Sequence, residues 1–303
     1  MKFRPLFHFL FSLWLLISIN FFLIRQLPGS PLDRTESLNP SVDRHWIQDL
    51  DLQAPVSRQY FRYFKKILQA DLGPSVSFPG SSVTELIAQH WQVTATLNLL
   101  ALILVFVLAA IFIWAQLKDP ESLMAKIFYS LSLGIISAPS ILLAPILILI
   151  FSVYAGWIPA AFLSSPIYYI LPCLILALRP AVFLARTLLS FMQDEILKDY
   201  VRTAKAKGLS KRLIIFKHVL KNSLVPVLGS LGPLCVSLVS GSAFIEILFS
   251  IPGLGGLFVE SLRQRDYFLS SGLVLIFGSL LIFLTLFFEF LSGRVDPRLA
   301  EAA

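Results

Sequence analysis

Arg179, Arg186 and Glu246 are ionisable side chains set inside long apolar runs. A charge in such surroundings is costly unless it faces a bundle interior or a watery cavity. The chemistry open to these residues is pairing with one another, with backbone carbonyls, or with a charged solute that crosses beside them. Arg179 sits deepest in its run, and its guanidinium needs acceptors from a carboxylate, a carbonyl or water, at a cavity or at a structural partner. Arg186 lies near the end of the same run, where an arginine can snorkel to the interface. Glu246 lies near the end of another run and reads first as a structural partner. Bond-breaking chemistry has no support, because the sequence contains no H-E-x-x-H, no G-x-S-x-G and no G-x-x-x-x-G-K-[ST]. Cys173 and Cys235 form no C-x-x-C, so neither a disulfide framework nor a zinc site is indicated.

The elements that carry these residues are membrane spans. Hydrophobic residues make up 56% of the 303, charged residues only 14%, and the mean hydropathy is +0.78, outside the balance of a soluble domain. The net charge of +7 is not a nucleic-acid footprint, because the basic residues sit between apolar runs and form no solvated basic face. A helix crossing the bilayer needs about 20 apolar residues. Six stretches qualify: Leu6 to Ile24, Val93 to Gln116, Phe128 to Val153, Pro166 to Ser190, Leu224 to Leu248 and Ser271 to Leu291. The first lacks a small-residue cleavage site and reads as a retained anchor. Pro139, Pro145, Pro172 and Pro180 interrupt or kink the third and fourth spans, as suits a pathway that opens and closes, although packing alone also tolerates them.

Short loops rich in Lys and Arg stay cytoplasmic. Lys2 and Arg4, Lys118 and Lys126, the stretch from Lys198 to Lys221, and Arg294 with Arg298 fall on one side, while Ala155 to Ser165 carries no basic residue. Both termini are therefore predicted to be cytoplasmic. The segment from Arg25 to Gln92 is too long for that rule; it reads as a small exposed cap with a helix around Val56 to Ala70, serving as a connector or a docking surface.

The densest charge lies in "YVRTAKAKGLSKRLIIFKHVLKN", Tyr200 to Asn222, with seven Lys or Arg and no acid. A short helix over about Asp194 to Lys207 should end at Gly208, the residue best suited to a left-handed cap. A second helix from Lys211 should gather Leu213, Ile215, Phe216, Val219 and Leu220 on one face. Such a helix-turn-helix fits anionic membrane lipid and a protein partner about equally well.

"DYVRTAKAKGLS" followed by "HVLKNSLVPVL" resembles the cytoplasmic loop of the membrane subunits of ATP-binding-cassette importers, in particular the B-type permease of the dipeptide, oligopeptide and nickel branch. The superfamily pattern is E-A-A-x-x-x-G; here Arg202, Thr203 and Ala204 precede Gly208, which looks like the branch's own R-T-A variant. "RQLPGSPLD", "ADLGPS", "GWIPA", "FIEILFSIPGLGGLFVESLRQRDY" and "DPRL" also resemble that branch, in order along most of the chain.

The resemblance implies an all-α integral membrane protein of six transmembrane helices with a cytoplasmic coupling helix-turn-helix, in a bacterial inner membrane. It also implies a second permease subunit, two cytoplasmic ATPase subunits that use the ATP, and an extracytoplasmic substrate-binding protein. No cofactor or metal is expected on this chain. Its organisation would be an anchor over 1–24, an extracytoplasmic segment over 25–92, a permease domain over 93–291 with the coupling loop at 194–222, and a tail over 292–303.

In that frame Tyr200, Arg202, Thr203, Ala204, Gly208 and Leu209 form the coupling loop, and small side chains at Ala204 and Gly208 would admit a partner's backbone. Arg179, Glu246, Pro252, Gly253 and Gly255 are candidates for the pathway or its outer gate, with a tight re-entrant turn expected where glycines follow Pro252. The substrate would be an oligopeptide or dipeptide, or else nickel or another small solute. An ion-gradient-driven transporter or a non-transporting membrane scaffold are the readings of other classes.

Overall fold

The computed structural model describes residues 4–26, 54–138, 140–158 and 166–295. The stretches "RQLPGSPLD" beyond Gln26, the end of "GWIPA", Pro139 and the "DPRL" tail lie outside the described residues. Those described are almost wholly helical: α1 Arg4–Gln26, α2 Val56–Leu68, α3 Val83–Lys118, α4 Leu123–Ser137 and α5 Ser140–Ile148, the last continued by a π-helical turn, Leu149–Tyr154. There follow α6 Ile170–Ile196, α7 Asp199–Ala206, α8 Lys211–Leu248, α9 Leu254–Arg263 and α10 Tyr267–Val295.

Among the described residues four helices are long and apolar enough to cross a membrane: α3, the run Ile167–Ile196 that contains α6, α8, and α10 over Tyr267–Arg294. The apolar part of α1 is shorter, Phe7–Leu23. The third expected span is not one helix. Ala138 takes an extended conformation (ψ 133°) between α4 and α5, as a residue preceding proline prefers, and two shorter helices replace a single crossing.

The chain divides into two compact units, Met1–Thr94 with Pro252–Phe283, and Ala95–Ile251 with Leu284–Ala303. In the first, Val83, Leu86 and Ile87 at the start of α3 are buried with Leu254 and Leu257 of α9 and Leu269 and Leu273 of α10. Gly272 permits that approach, since a Cβ there would stand 2.6 Å from Val83 Cγ1. The amphipathic α2 lies along α1: Tyr60 packs edge-on against Phe21 at 5.3 Å, and its hydroxyl shares a 2.8 Å hydrogen bond with Ser18.

In the second unit α6 packs on α8 and on α4. Gly241 of α8 lies so close to α6 that a Cβ there would meet Leu176 Cδ1 at 3.0 Å. Arg186 does more than snorkel: its guanidinium donates to Ser132 Oγ at 3.3 Å and lies over the Tyr129 ring of α4. Cys173, buried, directs its thiol to the Leu97 carbonyl at 3.8 Å, and both cysteines are free.

Candidate functional site

The basic stretch folds as α7, a turn, and the first turns of α8. Asp199 is the acid in the first turn of α7. The helix closes with two bonds, Gly208 N–H to the Lys205 carbonyl at 3.0 Å and Leu209 N–H to the Ala204 carbonyl at 3.3 Å. This is the paired pattern of a Schellman cap, and Gly208 takes the left-handed conformation the cap requires, with φ +76°. Ser210 then caps α8 by accepting from Leu213 N–H.

From Ser210 the chain stays helical into the span, through a π-helical turn over Ile214–Val219. The separate second helix expected from Lys211 is thus the beginning of α8. The wider turn also moves the buried face. Ile214 and Val219, five residues apart as a π-turn stacks them, are buried, whereas Leu213 and Phe216 are exposed.

Ala204 and Val201 face inward, so the small side chain of Ala204 serves packing beneath α7, while Gly208 is exposed with open space around it. Arg202 pairs with Asp199, at 3.4 Å and on an exposed surface, where such a pair contributes little. Thr203 Oγ1 donates to the Asp199 carbonyl. Leu209 lines a groove of about 360 Å³ with Ile196, Val201, Lys205, Lys211 and Ile214.

A polar clasp ties the loop to its flanking helices. Tyr200 donates to Glu195 Oε2 at 2.7 Å, Lys198 pairs with Glu195 Oε1, and Asn222 of α8 is a further hydrogen-bond partner of Tyr200. Burial pushes the Glu195 carboxyl up, but the bonds from Lys198 and Tyr200 outweigh it and hold the group below the ordinary glutamate range. The Lys198 ammonium is pushed up by its bond to Glu195, and the Tyr200 phenol by burial and then by Glu195.

A carboxyl depressed on folding stabilises the loop above its unfolded value of about 4.3, and that stability is lost as pH falls through the lower folded value. Protection of 194–222 from protease in the detergent-solubilised protein is therefore expected to stay level from pH 7 to about pH 4.3 and to fall only in stronger acid. Glu195→Gln should weaken it already at pH 7. A decline beginning near pH 6 would rule out this origin.

The remaining candidates divide between the two units. In the second, Arg179 is exposed into a cavity of about 560 Å³, lined also by Pro180 and Phe183 of α6 and by Pro233, Ser237 and Phe244 of α8. Glu246 is fully buried on α8. In the first unit, Pro252 is exposed, Gly253 precedes α9 as its N-cap, and Gly255 is buried within its first turn. Where a tight re-entrant turn was expected after Pro252, Gly253 is extended (φ −108°, ψ −172°) and a helix starts at Leu254. The left-handed residue nearby is Ser250, with φ +53°.

Asp266, which motif reading passed over, is the most connected polar side chain in this region. It is fully buried and accepts from Leu269 N–H at 3.0 Å, capping α10, and from Ser77 N–H at 2.9 Å and Ser75 Oγ. At the other end of α9, Leu254 N–H donates to Thr94 Oγ1 at 2.9 Å. The short helix α9 is thus pinned at both ends.

The family described as "Binding-protein-dependent transport system inner membrane component" matches residues 110–301. The chain belongs to this family. Similarity extends beyond the matched region. The chain is 35% identical over 299 residues to the oligopeptide transport system permease protein OppB of Haemophilus influenzae, covering 98% of each. It is 34% identical over 288 residues to the dipeptide transport system permease protein DppB of Bacillus subtilis, covering 95% of this chain and 94% of the relative. To OppB of Escherichia coli K12 it is 33% identical over 291 residues, 95% of each. The permease is therefore a multi-pass inner-membrane protein of the dipeptide and oligopeptide branch of ATP-binding-cassette transporters, as the motifs along its sequence led us to expect.

Proposed function

We propose that the chain is one of two permease subunits of an ATP-driven importer, forming a pathway for oligopeptides or dipeptides by alternating access. The single observation that carries this is the near-complete coverage of relatives whose names specify oligopeptide and dipeptide transport. That naming favours peptides over nickel. In this reading six spans cross the membrane: α1, α3, α4 with α5, α6, α8 and α10. The apolar part of α1, 17 residues from Phe7 to Leu23, is about 26 Å long and spans with its flanking residues.

Both termini and the 194–222 loop face the cytoplasm. There α7 and the Gly208 turn, held between two membrane-length helices, dock on an ATPase partner and pass its closure to α6 and α8. ATP is consumed by two such partners; no cofactor is held here, and no bond chemistry is performed. The pinned helix α9, with Pro252, Gly253 and Gly255, forms part of the outer mouth, where an extracytoplasmic binding protein delivers the peptide.

The test is reconstitution in proteoliposomes with the partner permease, both ATPases and the binding protein. Uptake of a labelled peptide should need ATP and every subunit. Uptake that survives without the ATPases and collapses with the proton gradient would identify an ion-driven transporter. Absence of peptide-stimulated ATP hydrolysis would identify a scaffold.

A further inference from the structure

Resting on the peptide-importer reading, we infer that the Arg179 cavity is a binding station for the C-terminal carboxylate of a peptide in transit. Arg179 lies 12 residues from Ile167 and 17 from Ile196, about 18 Å and 26 Å along the helix axis, far from either end. A guanidinium at that depth is costly unless something anionic or polar meets it. Its five N–H donors form a fork that matches a carboxylate with two parallel bonds, and this leaves donors for contacts within the chain. The carboxylate faces the complementary difficulty, since crossing an apolar pathway without a cation beside it would strip its hydration uncompensated.

Other features of the cavity suit the rest of a peptide terminus. Pro180 and Pro233 both lie inside helices, and a proline there frees the carbonyl four residues earlier from the helical ladder. For Pro180 that carbonyl belongs to Leu176, itself a lining residue; it can accept from the terminal peptide N–H. Ser237 of α8 donates its hydroxyl proton to the Leu234 carbonyl at 2.8 Å and keeps its lone pairs as acceptors. Phe183, Phe244 and Ile175 make the remaining wall apolar and without charge preference, so a peptide side chain is accommodated without being read. At about 560 Å³ the cavity is of a size that takes small organic ligands. The station thus recognises what all unmodified peptides share and ignores what distinguishes them.

The experiment compares a tripeptide with its C-terminal amide in the reconstituted complete transporter, each at a concentration that saturates the binding protein. Wild type should move the free acid faster than the amide, and Arg179→Gln should lower the acid-to-amide uptake ratio at least tenfold. Arg179→Lys keeps the charge but loses the fork, and should lower the ratio by a smaller factor; it decides the matter if the glutamine variant does not assemble. A ratio unchanged in the variants, or acid and amide uptake falling together, would overturn the station while leaving the peptide importer intact. Failure of the wild type to move either peptide would overturn the importer reading and the station with it.

Discussion

Replacing Gly208 by Val is expected to cut ATP-driven uptake at least tenfold while the transporter still inserts and its ATPases still turn over. Left-handed backbone costs a residue with a Cβ about 1–2 kcal/mol, more for a β-branched one, and Gly208 sits there at φ +76°. The chain itself offers no steric objection, since a Cβ at Gly208 would meet nothing within 4 Å. The two causes of failure can therefore be separated. Asn tolerates the left-handed region, so Gly208→Asn keeps the Schellman cap while adding a side chain to the exposed surface. If uptake falls with Asn as with Val, the open space is filled by the ATPase in the assembled transporter. If Asn transports normally and Val does not, the backbone turn alone is required. Undiminished uptake with both would remove this turn from the coupling route.

The long apolar runs were legible because membrane crossing imposes a length and a composition that few other structures share. Helices α3, α6, α8 and α10 follow from that constraint. The Gly208 cap was legible for a different reason, since it needs only neighbours in sequence: its bonds run back to Lys205 and Ala204.

What depended on backbone register was harder to read. Ile214 to Val219 would have had to be recognised as a π-helical turn before Ile214, and not Leu213, could be placed on the buried side. An α-helical period assigns the wrong face because each extra residue per turn rotates the stripe. The break at Ala138 was half visible, since Pro139 forbids an ordinary continuation, yet proline also sits within unbroken helix at Pro180. Sequence alone does not say which outcome packing will choose.

Asp266 escaped notice because its partners Ser77 and Ser75 lie 189 and 191 positions away. The only local sign is an acid placed just before an apolar run, which also describes any ordinary N-cap. The cap was readable there; the link to Ser75 and Ser77 was not.

That link carries the other large prediction. Asp266→Ala removes a helix cap, worth about 1 kcal/mol. It also strands the Ser77 N–H and the buried Ser75 hydroxyl, at about 1–3 kcal/mol for each buried group left without an acceptor. Together these should destabilise the first unit by about 3–7 kcal/mol, the upper end being reduced because the groups share one partner. Opening should be local, exposing the stretch from Gly73 to Ser82 to protease before the spans unfold. Asp266→Asn should lie between, because one amide oxygen can still cap Leu269 while the NH₂ group cannot accept from Ser77 or Ser75. Ser75→Ala leaves Asp266 with its other donors but takes the acceptor from Phe78 N–H, which bonds Ser75 Oγ at 3.1 Å, and should cost about 1–3 kcal/mol. If the bond between them is the reason, adding Ser75→Ala to Asp266→Ala costs less than Ser75→Ala alone, since the first change has already broken it and only the bond from Phe78 N–H remains to be lost. Protease resistance and thermal stability equal to wild type in Asp266→Ala would show that α9 and the stretch from Gly73 to Ser82 are held by the apolar cluster around Leu254 and Leu269 alone.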